Sequence, residues 1–296
     1  MADTGECCTS GKAAPGELMS LAAFPTSSSF SLAIYISALL TPLDSYLPRG
    51  VMARIGSLEA YSSGNRDSPE VLLLLSDGFG LAMHNLMLAD NLAQNEWHVV
   101  VPDYFQGDPC VLGDALPIGL LADPPTIMLG DHMAPAGEDG KPGTLDFPAW
   151  LQKHSHDRVE MLLRKVVADL KSSNAAVGGL LGVGYCFGGK HALRLAKENL
   201  DAAAAFHPSF VEPEDCADIT VPLYIGLAEK DSMVPPSLPQ DLQAWTKRPS
   251  GGPVCIEEYP GMDHGFAARP DSQDAMIHEQ YDRAYRRVVQ FFRKHT

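Results

Sequence analysis

The segment Gly184-Tyr185-Cys186-Phe187-Gly188-Gly189 sets a soft nucleophile between glycines placed two residues to either side. It closes a short apolar run, Leu180-Leu181-Gly182-Val183, and opens a helix-like stretch, His191-Ala192-Leu193-Arg194-Leu195-Ala196. A side chain on a tight strand-to-helix turn sits on a strained backbone, and glycines at those spacings let the neighbouring chain approach. The helix that follows aims its free N–H groups and the positive end of its dipole at the turn. Both favour a thiolate or an oxyanion there. A small buried cysteine in a Gly-rich turn would leave the same local pattern, so the reading depends on partners elsewhere in the chain.

Two further segments provide them. Val221-Pro222-Leu223-Tyr224-Ile225-Gly226-Leu227 reads as a buried strand, with Ala228-Glu229-Lys230-Asp231 at its C-terminal end. Val254-Cys255-Ile256-Glu257-Glu258-Tyr259 reads as another, running into Pro260-Gly261-Met262-Asp263-His264-Gly265-Phe266. His264 would take the Cys186 proton and later deliver it to a leaving group. Asp231 would hold the imidazole in one tautomer and stabilise its cation. Asp231 could instead be a turn former before Ser232, and Glu229 and Asp263 are rivals for the acid. His264 could be a hydrogen-bonded loop residue. The order nucleophile, acid, histidine, each after a strand, differs from the two common serine-protease orders and is that of α/β-hydrolases.

With these residues in place, the chain resembles the dienelactone hydrolase (carboxymethylenebutenolidase-like) family, a cysteine branch of the α/β-hydrolase fold, in its fungal and other eukaryotic form. The resemblance rests on Cys7-Cys8 with Gly11, Ser76-Asp77-Gly78-Phe79-Gly80 with Asn85 and Ala89-Asp90, and Val101 to Asp108. Gly182 to Gly189, Phe206-His207-Pro208-Ser209-Phe210 and His264-Gly265-Phe266 with Arg269 complete it. It covers roughly residues 52–294 and the first sixteen or so.

The resemblance implies that Asp77 contacts the resting cysteine and helps activate it, and that the N–H groups of Gly78 and Phe187 form an oxyanion hole. Read locally, Asp77 is also a helix cap for the Leu81 to Asn95 segment, and the two roles are compatible. Bacterial members bind a substrate carboxylate with two arginines. Arg269 lies close to one of those positions, and no arginine stands in the Asp103 to Cys110 stretch expected to carry the other. A different ester or lactone is therefore a better expected substrate than the carboxylate-bearing dienelactone, drawn from aromatic catabolism or polyketide biosynthesis in a fungal member. No metal and no organic cofactor is expected. A reading of another class is a redox-responsive or ligand-binding protein that keeps the fold without turnover.

Composition agrees with an enzyme. The chain has 296 residues, 45% of them hydrophobic, which suits one large α/β-hydrolase domain. A net charge of −15 argues against nucleic acid or an anionic membrane surface as partner and leaves a small-molecule substrate. Six scattered cysteines are too few for a disulfide scaffold in a chain this long, and a reactive thiol fits a reducing, cytoplasmic setting. Cys255 reads as core, Cys110 and Cys216 as loop residues, and Cys7-Cys8 lacks neighbours at metal-ligand spacing. The acidic start, Met1 to Glu6, lacks the basic region of a secretory signal. A monomer or homodimer is expected.

The elements that must hold these residues follow from the hydropathy pattern. Strands are expected near 54–60, 71–76, 98–102, 178–183, 202–206, 221–227 and 253–259, and helices near 81–95, 155–172, 187–199, 237–246 and 274–294. The strand runs lack period-two alternation and are separated by helices. That predicts an α/β fold with a mostly parallel, doubly wound sheet and helices on both faces. Ile277, Tyr281, Tyr285, Val288, Val289 and Phe292 form one apolar stripe, read as core.

Two segments stand outside this scheme. Residues 109–151, rich in Pro, Gly and Asp, read as a lid that shapes the pocket. Residues 18–50 read as an insertion between an N-terminal segment, 1–17, and the hydrolase domain, 51–296. It carries no charge from Leu18 to Leu43, yet its apolar run is shorter than the ~20 residues a membrane helix needs. A membrane anchor, a surface excursion and a translated intron are its three readings, the anchor being the least favoured.

Overall fold

The computed structural model describes residues 46–110, 146–173, 178–247, 251–269 and 274–296. The chain divides into two units, Met1–Tyr46 and Leu47–Thr296, and every described strand and helix lies in the second. The expectations for residues 1–17, for 18–45 and for most of the 109–151 segment fall outside the described residues.

Among the described residues eight strands form one sheet: β1 (Val51–Ile55), β2 (Leu58–Ser63), β3 (Glu70–Leu75), β4 (His98–Pro102), β5 (Gly179–Tyr185), β6 (Ala202–Phe206), β7 (Leu223–Ala228) and β8 (Val254–Tyr259). Their spatial order is β1-β2-β4-β3-β5-β6-β7-β8. The first two pairings, β1 with β2 and β2 with β4, are antiparallel, and every other pairing is parallel. The helices are α1 (Met83–Ala93), α2 (Phe147–Lys153), α3 (His156–Ser172), α4 (Phe187–Ala196), α5 (Pro213–Cys216), α6 (Leu238–Trp245) and α7 (Ala275–His295).

Successive residues of a strand point to opposite faces, so a strand covered on both sides must be apolar throughout. In β3, Val71, Leu73 and Leu75 join one core layer, and Leu72 and Leu74 join the other. Against the first layer pack Val159, Leu163 and Val166 of α3, Leu193 of α4 and Leu242 of α6. Against the second pack Leu86 and Leu92 of α1 and Val288 and Phe292 of α7. The sheet is thus wound on both faces, as the unalternating runs require. Each such buried Leu or Phe contributes about 2 kcal/mol. The apolar stripe of α7 is core packing, and Asp274 caps this helix by accepting from the N–H groups of Met276 and Ile277 at 2.8 and 3.4 Å.

Three local differences from the sequence reading have physical causes. The single strand expected at 54–60 is a hairpin, because Gly56 takes a φ of +60° and reverses the chain between Ile55 and Leu58. The end of the segment read as a lid is helical: α2 starts at Phe147, where the Asp146 carboxylate accepts from Ala149 N at 3.0 Å. Cys216 lies in α5 rather than in a loop, and Cys110 is buried. At the other boundary, Arg49 N donates to Asp90 and Gly50 N to the Tyr61 hydroxyl, so the last residues before β1 are tied to the sheet and α1.

Candidate active site

Cys186 occupies the turn between β5 and α4 with φ 51° and ψ −115°, a left-handed conformation that a residue with a side chain rarely takes. Such a position costs on the order of 1–3 kcal/mol and survives only where its surroundings dictate it. They do so here by close packing. A Cβ on Gly184 would lie 2.2 Å from the Gly188 carbonyl oxygen, and one on Gly188 would lie 2.1 Å from the Leu75 oxygen. The flanking glycines therefore let the turn close onto itself and onto β3. Cys186 N donates to Phe206 O at 3.1 Å, and Gly188 N to Ser76 O at 3.1 Å, pinning the turn to β6 and to the end of β3.

His264 and Asp231 arrive from loops after β8 and β7. His264 Nδ1 lies 2.7 Å from Asp231 Oδ2, and both side chains are buried. Asp231 Oδ1 also accepts from Met233 N at 2.9 Å, so the turn-forming reading and the acid reading describe one residue. Of its rivals, Glu229 accepts from Gly261 N at 2.6 Å and ties the two loops together, while Asp263 is exposed.

The electrostatics of the pair are coupled. Burial alone would push the Cys186 thiol up, but the His264 imidazole outweighs it and holds the thiol below its ordinary value. Burial alone would likewise favour a neutral His264. The Cys186 sulfur and the Asp231 carboxylate outweigh it and hold the ring's affinity for its proton above the ordinary histidine value. Both shifts run toward a thiolate and an imidazolium, while His264 Nε2 itself makes no hydrogen bond among the described residues. The other buried thiols behave oppositely: burial pushes Cys110 and Cys216 up to about 12.

Asp77 sits at the end of β3, close to the cysteine turn, and its carboxylate is fully occupied. It faces His84 Nε2 at 2.9 Å, accepts from Asn85 Nδ2 at 2.9 Å and from Phe79 N at 3.1 Å, and pairs with Arg269 Nε at 3.2 Å. None of these bonds goes to the Cys186 sulfur. Burial would raise this carboxyl, but His84, Arg269 and Asn85 outweigh it and hold it well below the usual carboxylate range. Arg269 also lies over the Phe79 ring, 4.3 Å from its centroid. Neither the Gly78 N–H nor the Phe187 N–H enters a backbone hydrogen bond with a turn, loop or cap among the described residues. Gly78 O accepts from Cys110 N at 2.7 Å, which holds the following peptide, Gly78–Phe79.

The sequence assigns no role to three residues of this neighbourhood, although His207 and Ser209 stand in a segment that carries the resemblance. His84 is a partner of Asp77, and a carboxylate expected to be buried could have prompted a search for a cation on the next helix. His207 packs edge-on against His264, with ring centroids 4.8 Å apart, and burial together with the His264 charge keeps it neutral. Ser209 places its hydroxyl oxygen 3.5 Å from Cys186 Sγ. Nothing local to the last two foretells either contact.

A mostly parallel sheet wrapped on both faces, with a cysteine on the turn after β5, an acid after β7 and a histidine after β8, defines an α/β-hydrolase. Residues 58–296 match the model of the dienelactone hydrolase family, and the chain belongs to that family. It is similar to the hydrolase pyvD of Aspergillus violaceofuscus, with 30% identity over 75% of this chain and 81% of that one. The hydrolase tropI of Talaromyces stipitatus is 26% identical over 84% of this chain and 91% of its own length. Among solved structures, a candidate dienelactone hydrolase from Klebsiella pneumoniae shares the fold with a TM-score of 0.60 at 21% identity, covering 82% of this chain and 97% of that one. The protein is thus a hydrolase of the ester and lactone type.

Proposed function

We propose that the chain hydrolyses a small ester or enol lactone through an acyl-enzyme on Cys186. The observation that carries this is the Asp231–His264 hydrogen bond of 2.7 Å behind a cysteine held on a strained turn. The Cys186 thiolate attacks the carbonyl carbon, forming the S–C bond. The N–H groups of Gly78 and Phe187 receive the negative charge that develops on oxygen, each donor contributing about 3 kcal/mol to the transition state. The C–O bond to the leaving group then breaks, and His264 gives that oxygen a proton. Water attacks the thioester, His264 takes its proton, and the S–C bond breaks to release the acid and restore the thiolate. No metal or organic cofactor enters these steps.

The Arg269 charge is already paired with Asp77, which supports a neutral ester or lactone over a carboxylate-bearing one. The named fungal relatives are hydrolases, in keeping with a lactone or thioester of aromatic catabolism or polyketide biosynthesis as substrate. A reducing, cytoplasmic setting suits the free thiol. The test is hydrolysis of p-nitrophenyl acetate and of a panel of enol lactones by wild type and Cys186→Ala. At least a thousandfold loss is expected with the variant; equal rates from the two proteins would remove Cys186 as the nucleophile.

A further inference from the structure

The segment after β6, Phe206 to Cys216, is more tightly determined than a connecting loop needs to be. His207 takes a φ of +37° and Phe210 a φ of +58°, both unfavourable for bulky side chains. Ser209 lies between them and is buried, with 1% exposure. Three anchors hold this shape. His207 N donates to Gly226 O at 2.8 Å, and Ser209 N donates to Cys186 O at 3.1 Å. Lys190, a buried lysine on α4, donates through Nζ to Phe210 O at 2.7 Å and Glu212 Oε2 at 2.9 Å, and faces Asp215 at 3.3 Å. A buried ammonium placed on a loop carbonyl and its two neighbouring carboxylates is a clamp, and its effect is to press the loop onto the nucleophile turn.

What the clamp delivers to the sulfur is one hydroxyl. Ser209 Oγ lies 3.5 Å from Cys186 Sγ, and it makes no other side-chain hydrogen bond among the described residues. Hydroxyl and thiol can bond in either direction. In the proposed reaction the attacking sulfur is a thiolate, which has no proton to give, so the hydroxyl donates. We infer that Ser209 is a catalytic residue of this site, donating its hydroxyl proton in a hydrogen bond to the resting Cys186 thiolate and so standing in for the water that burial excludes. The bond lasts while the sulfur is anionic and weakens when the S–C bond forms, because a thioester sulfur is a poor acceptor. The inference rests on Cys186 being the nucleophile.

The titratable groups that bear on this sulfur are His264 with its partner Asp231, Asp77, Cys110, Tyr104 and, behind His264, His207. Asp77 opposes the thiolate and His264 favours it; Ser209 adds a neutral donor that favours it at every pH.

The test is alkylation of the full chain by iodoacetamide as a function of pH, read by mass spectrometry on the peptide that carries Cys186. Ser209→Ala is expected to raise the midpoint by about one pH unit, the size of one charge-assisted hydrogen bond. Turnover of p-nitrophenyl acetate at neutral pH is expected to fall about tenfold in kcat with KM within twofold of wild type. Ser209→Thr keeps a hydroxyl and Ser209→Val, its isostere, does not. Thr is expected to keep the wild-type midpoint and Val to match Ala, which preserves the test if the Ala variant does not fold. A midpoint unchanged in Ala and Val, or shifted equally in Thr and Val, overturns the assignment. Because alkylation reads the thiol without any substrate, a shifted midpoint in a protein whose Cys186→Ala variant still hydrolyses esters would sink the proposed reaction while leaving the Ser209 bond standing.

Discussion

Asp231 and His264 act on charge, so the prediction at the scale of the residue is a pH profile. The Cys186 value is depressed, so thiolate persists below the ordinary thiol range and is lost only as pH falls through that lowered value. The His264 value is raised, so the imidazolium persists above the ordinary histidine range and is lost as pH rises through that raised value. The acid limb of kcat/KM for p-nitrophenyl acetate is therefore expected below the ordinary thiol range, and the alkaline limb above the ordinary histidine range. Asp231→Asn removes the carboxylate that supports the cation. It is expected to lower kcat on the order of a hundredfold to ten-thousandfold and to draw the alkaline limb down only in part, because the Cys186 sulfur still favours the cation. A full profile of the variant checks this, and an unmoved alkaline limb would assign the acid's role to another residue.

The meeting of β5 and α4 shows how an element sets a site. The strain at Cys186 is maintained by backbone contacts from β3 through Gly188 and by the ladder that ends at Tyr185. Gly188→Ala would place a methyl group 2.1 Å from Leu75 O, and backbone on both sides leaves no flexible atom to give way. The expected cost is about 3 kcal/mol of stability, because the helix must shift away from β3. Movement of the turn by about 1 Å should also cut turnover at least a hundredfold. Thermal melting and ester hydrolysis measured on one preparation check both; a variant with wild-type melting and turnover would mean the turn is not held by this contact.

For the whole molecule, every described strand and each proposed catalytic residue lie within residues 47–296, and the family match runs from 58 to 296. No helix among the described residues is long and apolar enough to cross a membrane. Arg49 and Gly50, the last residues of the expected insertion, are bonded to Asp90 and Tyr61. If residues 18–45 are the surface excursion that is one reading of the sequence, their removal is expected to leave the melting temperature within about 3 °C and ester turnover within about threefold. Circular dichroism melts and p-nitrophenyl acetate assays of the shortened chain decide it. Loss of folding or of activity would show that the segment belongs to the working protein.

Local chemistry made much of this legible from the sequence alone. Glycine spacing around Cys186, unbroken apolar runs and the order cysteine, acid, histidine are properties of short windows. A parallel sheet with helices on both faces follows from them, and so does the place of each candidate at a strand end. What only the tertiary structure decides is which groups meet. Asp231, Glu229 and Asp263 look alike in sequence, and it is Asp231 whose carboxylate lies buried 2.7 Å from His264. Asp77, expected at the cysteine, spends both oxygens on His84, Asn85, Arg269 and the Phe79 N–H, because a buried carboxylate must be paired where cations reach it. Ser209 comes to Cys186 across 23 residues of chain because Lys190 holds its loop down. Such pairings depend on distances between separate elements, which no window of neighbouring residues encodes.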